Sequence, residues 1–114
     1  MKVLYTLLNW YTQRFAFPKR GWKFIQPLLH RTGLAGKIYK KRLVNGLFLH
    51  VDATDHIQKT IFWYGYYDRS VSQLWQKLLQ QNSVVFDIGA NIGYFSLLSA
   101  AKAIDGRVIA FEPV

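Results

Sequence analysis

The stretch Val84–Glu112 constrains the chain more than any other part of it. Val84-Val85-Phe86 is a short apolar, β-branched run of the kind a buried parallel strand uses. Asp87-Ile88-Gly89-Ala90-Asn91-Ile92-Gly93 follows, a composition that suits a turn better than a helix or a strand. Gly89 and Gly93 lack a Cβ, so the backbone there can bend sharply and approach a ligand closely. Asn91 is among the few other residues that tolerate positive φ. From Tyr94 to about Ala103 the spacing is helical, with Phe95, Leu98 and Lys102 on one row and Leu97, Ala100 and Ala101 beside it. Asp105-Gly106 supplies a second turn, and Arg107–Phe111 a second apolar strand. Strand, helix and strand joined by short links make a βαβ unit.

The chemistry of this unit narrows its ligand. A helix N-terminus presents unpaired N–H groups and partial positive charge, so a carboxylate or phosphate is favoured beside Gly93. Glu112 ends the second strand, 19 residues after Gly93. In a Rossmann-like crossover an acid about 20 residues on reaches ribose hydroxyls. Two ligands fit that arrangement, a dinucleotide or S-adenosylmethionine. The dinucleotide fingerprint is G-x-G-x-x-G, whereas Gly89-x-Asn91-x-Gly93 is one residue shorter. Asp87 adds a negative charge in the mouth of the turn, which suits a cationic amino-acid moiety and repels a pyrophosphate. The chemistry leans to S-adenosylmethionine. A tight strand-to-helix connection with a solvated Glu112 is the plain structural alternative.

FDIGANIGYFSLLSA followed by GRVIAFEP resembles the opening motifs of the FkbM-type family of class I methyltransferases, in which an acid precedes G-A-N-x-G. The resemblance covers roughly residues 45 to 114, running upstream through Leu49–Asp52 and Ile57–Asp68, and its specific part is Val84–Pro113. It implies an incomplete, doubly wound Rossmann-like parallel sheet of class α/β, with S-adenosylmethionine as cofactor. Asp87, Gly89, Ala90, Asn91 and Gly93 would line the methionine end, and Glu112 would hold the ribose. It implies methyl transfer to an oxygen of a small molecule, glycan or lipid, and names no catalytic base. Related sequences carry Tyr-Glu where this chain has Tyr67-Asp68, two residues that would wall the pocket. The alternatives are an NAD(P)-binding oxidoreductase fragment and a basic membrane-surface adaptor.

Charge divides the chain. Residues 1–50 hold ten Lys/Arg and no acid, while residues 51–114 hold five Lys/Arg against six acids. The basic excess thus belongs to the leader, and it calls for a surface partner. In the leader Val3, Leu4, Leu7, Leu8, Tyr11 and Phe15 follow the amphipathic helical pattern, with Trp10 beside them. Pro18 ends that helix, and a second short one is expected from Trp22 to His30. Such a segment, within residues 1–33, can lie on an anionic membrane. It can equally pack on the body of the protein with its Lys/Arg in water. Nucleic acid is not expected, because no recognised motif accompanies the basic residues. No run reaches the roughly 20 apolar residues of a membrane span, and Asn9, Thr12, Gln13 and Arg14 interrupt the N-terminus too early for a secretory signal. A cytoplasmic protein, at most membrane-associated, is the expectation. With no cysteine there is neither a disulfide framework nor a thiolate metal site.

The remaining segments divide the chain into a leader at 1–36, a hairpin and aromatic cap at 37–69, and the start of the cofactor domain at 70–114. Thr32-Gly33 and Ala35-Gly36 mark the first break. Ile38–Val44 and Leu47–Val51 flank Asn45-Gly46, which signals a type I′ hairpin. Asp55 and Gln58 form a capping box for a short helix at Ile57–Trp63. That explains the acid better than metal ligation by Asp52, Asp55 and His56, and no metal is expected. The aromatic run Phe62–Tyr67 either walls a pocket or packs the hairpin. Ser70, with Gln73, is expected to cap a helix that buries Val71, Leu74, Trp75, Leu78 and Leu79 and stops at Asn82. The sequence ends directly after Glu112-Pro113-Val114, and two parallel strands with one helix leave an apolar face uncovered. The expectation is therefore an N-terminal portion of a longer methyltransferase, which alone binds cofactor weakly or not at all and transfers no methyl group.

Overall fold

The computed structural model describes residues 3, 6, 7, 10, 11, 27, 30–33, 36–43 and 45–113. Two compact units divide the chain, one formed by Met1–Lys41 with His50–Gly65, the other by Arg42–Leu49 with Tyr66–Val114. The fold is α/β, with short sheets that include a parallel pair.

In the first unit, Val3, Thr6, Leu7, Trp10, Tyr11, Pro27, His30 and Arg31 are helical. Leu4, Leu8, Phe15, the helix end at Pro18 and most of Trp22–His30 lie outside the described residues. Gly33 and Gly36 take left-handed φ of 65° and 76°, which breaks the chain after the leader. β1 (Ile38–Arg42) and β2 (Phe48–Asp52) pair as a two-stranded sheet. Their period-2 alternation turns Tyr39 and Lys41, and Leu49 and Val51, away from solvent. Lys41 thus occupies a position where an apolar residue is the rule. It is fully buried, its Nζ lies 6.0 Å from the Phe62 ring centroid, and burial pulls its pKa down to about 8.

The hairpin connection differs from the type I′ turn expected. Gly46 N–H donates to Leu43 O at 3.0 Å and Leu43 N–H to Leu47 O at 2.7 Å, and Gly46 is left-handed at φ 86° while Asn45 is not. A turn closed by one left-handed glycine is the G1-bulge pattern, and Asn45 uses its side chain instead, accepting Leu47 N–H at 3.2 Å.

α1 (Gln58–Tyr64) begins as the capping signal indicates: Asp55 Oδ1 accepts from Ile57 N–H at 3.0 Å and Gln58 N–H at 2.8 Å. The reciprocal half fails, because Gln58 Oε1 accepts from Asp52 N–H at 2.8 Å. Thr54 donates both its hydroxyl and its N–H to Asp52, which holds that carboxyl below the usual range. α1 ends at Gly65, left-handed at φ 74°, whose N–H bonds Ile61 O at 2.8 Å. Its Ile61, Phe62 and Trp63 are buried, each worth roughly 1.5–3 kcal/mol of apolar transfer for an aliphatic or Phe side chain.

In the second unit, α2 (Arg69–Leu78) is capped by Asp68 and not by Ser70: the Asp68 carboxylate accepts Val71 N–H at 2.9 Å. The extended backbone of Asp68 makes the acid two residues upstream the better acceptor. The helix also stops before Asn82, with an extended Leu79 as its C-cap. Its buried side is Ser72 and the flanking Leu79, with Trp75 half-buried, whereas Val71, Leu74 and Leu78 are exposed. The expected apolar stripe is therefore wrong in phase. Hydroxyls decide the contact: Trp75 Nε1–H donates to Ser99 Oγ at 2.8 Å, and the Ser72 and Tyr94 hydroxyls pair at 3.0 Å. Both link α2 to α3 (Tyr94–Lys102).

β3 (Val84–Ile88) and β4 (Arg107–Phe111) pair in parallel, in a register running from Val84 opposite Arg107 to Ile88 opposite Phe111. β3 thus runs through Asp87 and Ile88, two residues assigned to the turn by composition; ladder bonds to β4 override it. α3 packs on both strands and buries Val85 on one face, together with its own Tyr94, Leu98 and Ser99. α3 covers the expected span to within a residue, with Leu98 buried, Phe95 half-buried and Lys102 exposed. On the opposite face Val84, Phe86, Ile88, Ile109 and Phe111 are exposed, and the Phe86 and Phe111 rings stack 6.5 Å apart. This is the uncovered apolar face that a single crossover leaves. At the bottom of the pair Gly106 lies so close to Ser83 that an added Cβ would meet its carbonyl oxygen at 2.0 Å.

Candidate functional site

The residues singled out in Val84–Glu112 converge at the carboxyl end of the parallel pair, where ligands of open α/β sheets bind. Asp87 is opposite Ala110, and Glu112 directly follows Phe111, the partner of Ile88. The two acids therefore share the carboxyl end of the sheet.

The loop between β3 and α3 is built from three left-handed residues, Gly89 at φ 77°, Asn91 at φ 49° and Gly93 at φ 79°. Crowding does not explain the glycines: an added Cβ meets nothing within 4 Å at Gly89, and its nearest neighbour at Gly93 is 3.9 Å away. Conformation requires them, and the space beside Gly89 is open.

Most of the loop's amides are spent on β4 and on the loop itself. Gly89 N–H and Ala90 N–H both donate to Phe111 O, at 2.8 and 3.0 Å, and Gly93 N–H donates to Ala90 O at 2.8 Å. Asn91 N–H donates to Glu112 Oε2 at 2.7 Å. Glu112 thereby ties the loop to the neighbouring strand. An ionised carboxylate offers about four lone-pair sites, so Glu112 retains acceptor capacity for a second donor. Asn91 and Glu112 are exposed and Ala90 is buried.

Asp87 points to the α3 side of the sheet and accepts the Ser96 hydroxyl at 2.5 Å. Ser96 carries no motif signal; its position on the first turn after Gly93 was the only available clue. Tyr94, equally silent in the sequence, anchors the same turn. Its hydroxyl meets Ser72, and its ring lies 5.1 Å from Phe95 and 6.5 Å from Tyr67, edge-on to both. Tyr67 is thus brought beside the start of α3. Asp68 serves as the cap of α2, its Oδ1 accepting Val71 N–H at 2.9 Å. The aromatic run is divided: Phe62 packs against Tyr39 at 5.2 Å and Trp63 at 4.9 Å in the first unit, while Tyr67 belongs to the second.

Among the described residues, no group of three or more His, Cys, Asp or Glu could hold a metal ion. None of the described helices is long and apolar enough to cross a membrane.

No protein-family model matches the chain. No solved structure matches it. Among curated proteins it is similar to the AMB antimetabolite synthetase AmbE of Pseudomonas aeruginosa, with 39% identity over 66 residues. The similar stretch is 58% of this chain and 3% of that synthetase, so the chain corresponds to a small part of the larger protein.

Proposed function

We propose that Val84–Glu112 is the cofactor-binding opening of a Rossmann-like, doubly wound class I methyltransferase domain of FkbM type, using S-adenosylmethionine. One observation carries this reading. The amides of Gly89, Ala90, Asn91 and Gly93, which a dinucleotide site would aim at a pyrophosphate, are already bonded to Phe111, Glu112 and Ala90. Two carboxylates stand at the same end of the parallel pair instead. That donor and acceptor set favours a cation and hydroxyl groups over a dianion. The NAD(P) oxidoreductase alternative is disfavoured on the same ground.

In this reading Asp87, held by Ser96, faces the ammonium of the methionine moiety, and the free acceptor capacity of Glu112 takes the ribose hydroxyls. Gly89 and Gly93 let the backbone approach, Asn91 supports the loop between them, and Ala90 fills the core beneath. Tyr67, beside Tyr94, contributes to the wall. When bound, the cofactor supplies an electrophilic methyl group on a sulfonium. The chain's part is alignment, because in-line displacement gains most from holding the donor in place. The acceptor is an oxygen of a small molecule, glycan or lipid. Similarity to a synthetase is in keeping with a small-molecule acceptor, although it assigns no residue a role.

Photo-cross-linking with radiolabelled S-adenosylmethionine, in parallel with radiolabelled NAD, tests the reading. Label from S-adenosylmethionine should enter peptides spanning 87–112 and be competed by unlabelled cofactor. Label from NAD at those peptides, with none from S-adenosylmethionine, would reverse the assignment.

A further inference from the structure

We infer that the N-terminal leader docks the chain on an anionic lipid surface, independently of what the Val84–Glu112 unit binds. Every described residue between 3 and 11 is helical. At 3.6 residues per turn, Val3, Leu7, Trp10 and Tyr11 fall within an arc of roughly 100°. That arc faces solvent: Val3 is 72% exposed, Leu7 57%, Trp10 58% and Tyr11 40%. An aliphatic pair with a tryptophan and a tyrosine on one exposed helical face has the composition of an interfacial helix, in which the rings sit at headgroup depth.

Charge selects the occupant. Lys2, Arg14, Lys19, Arg20 and Lys23 flank the stripe in sequence, and residues 1–50 contain ten Lys/Arg with no Asp or Glu. An apolar groove on another protein would be served by the stripe alone. A lipid surface carrying anionic headgroups uses both the stripe and the uninterrupted positive charge. Binding of an amphipathic element scales with its buried apolar area plus its attraction to anionic lipid, so the stripe and the charge act together. The geometry thus points to reversible, salt-sensitive binding parallel to the membrane plane.

Co-sedimentation of the intact chain with vesicles tests this. Vesicles of phosphatidylcholine containing about one-third phosphatidylglycerol should retain the chain at least about tenfold better than phosphatidylcholine alone, with retention falling as salt rises. The double variant V3E/L7E should lose about tenfold or more of that binding with an unchanged circular dichroism spectrum, since both positions are exposed. L74E, on the exposed side of α2, should bind as the parent does. No preference for anionic vesicles, or V3E/L7E binding as well as the parent, would overturn the inference. So would an equal loss in L74E. Retention on single-stranded oligonucleotide that exceeds vesicle binding and survives V3E/L7E would assign the basic leader to nucleic acid instead.

Discussion

An alanine methyl at position 106 would sit 2.0 Å from the Ser83 carbonyl oxygen, 2.9 Å from its carbon and 3.0 Å from the Ser83 nitrogen. All three are backbone atoms, so no rotamer change relieves the clash. Carbon–oxygen contact needs about 3.3 Å, and the two segments would have to separate by roughly 1.3 Å. That displacement falls on the bond from Arg107 N–H to Ser83 O, now 3.0 Å, and stretches it beyond hydrogen-bond range. The lost bond costs about 0.5–1.5 kcal/mol and the overpacking about 1–3 kcal/mol, together about 1.5–4.5 kcal/mol. A chain of this length has a total stability of roughly 6–17 kcal/mol. The melting temperature of Gly106→Ala should accordingly fall by roughly 10–20 °C, read by circular dichroism. Gly89→Ala is the comparator. No atom lies within 4 Å of the added methyl there, so only the left-handed backbone penalty of about 1–2 kcal/mol applies. A Gly106→Ala variant melting within a few degrees of the parent, or above Gly89→Ala, would refute the claim that the backbone approach at Ser83 leaves no room for a side chain at position 106.

Unfolded, Lys41 keeps its proton up to about pH 10.5, whereas folded it releases it near 8. The unfolded state thus binds more protons between those values, and stability should rise across that window by at most about 3 kcal/mol. Lys41→Met should flatten the rise in urea titrations at stepped pH; an equal slope in the variant would remove Lys41 as its source. Asp68→Ala should lower stability by about 1 kcal/mol through loss of the α2 cap, with Ser70→Ala within about 0.5 kcal/mol of the parent. The reverse ranking in denaturant midpoints would return the cap to Ser70. Ser96→Ala should release Asp87 and weaken S-adenosylmethionine binding several-fold, with the thermal midpoint falling by no more than about 5–10 °C. A large thermal shift with unaltered binding would make that bond purely structural.

Local chemistry made much of this architecture legible. Gly89, Asn91 and Gly93 take the left-handed φ their residue types allow, and the strands and helix of Val84–Phe111 fall where periodicity put them, with β3 two residues longer. Asp55 bonds the first amides of α1 as its sequence position indicates, although Gln58 does not reciprocate. Legibility ended where tertiary contacts decide. Ser72, Tyr94, Trp75 and Ser99 build a polar α2–α3 contact, and an apolar-stripe argument cannot see hydroxyls as packing residues. That is why the stripe places Val71, Leu74 and Leu78 on the wrong side. Lys41 is buried on a strand whose alternation calls for an apolar side chain, and composition counts it as surface charge. In the loop, residue types indicated the bend but not that Glu112 bonds the backbone of Asn91, nor that Ser96 holds Asp87. Those are pairings across 21 and 9 residues, which only the folded βαβ unit brings together.

The most direct test is a nitrogen–proton NMR titration of the chain with S-adenosylmethionine, and separately with NAD, into the millimolar range. Gly89, Asn91 and Glu112 are exposed, so a bound ligand is covered on one side only and an affinity of about millimolar is expected. S-adenosylmethionine should shift the amides of Gly89, Ala90, Asn91, Gly93 and Glu112 in a saturable way. Asp87→Asn and Glu112→Gln should each weaken the response by about tenfold, and NAD should leave those amides unmoved. Saturable shifts at the same amides with NAD, and none with S-adenosylmethionine, would contradict the sulfonium-nucleoside assignment.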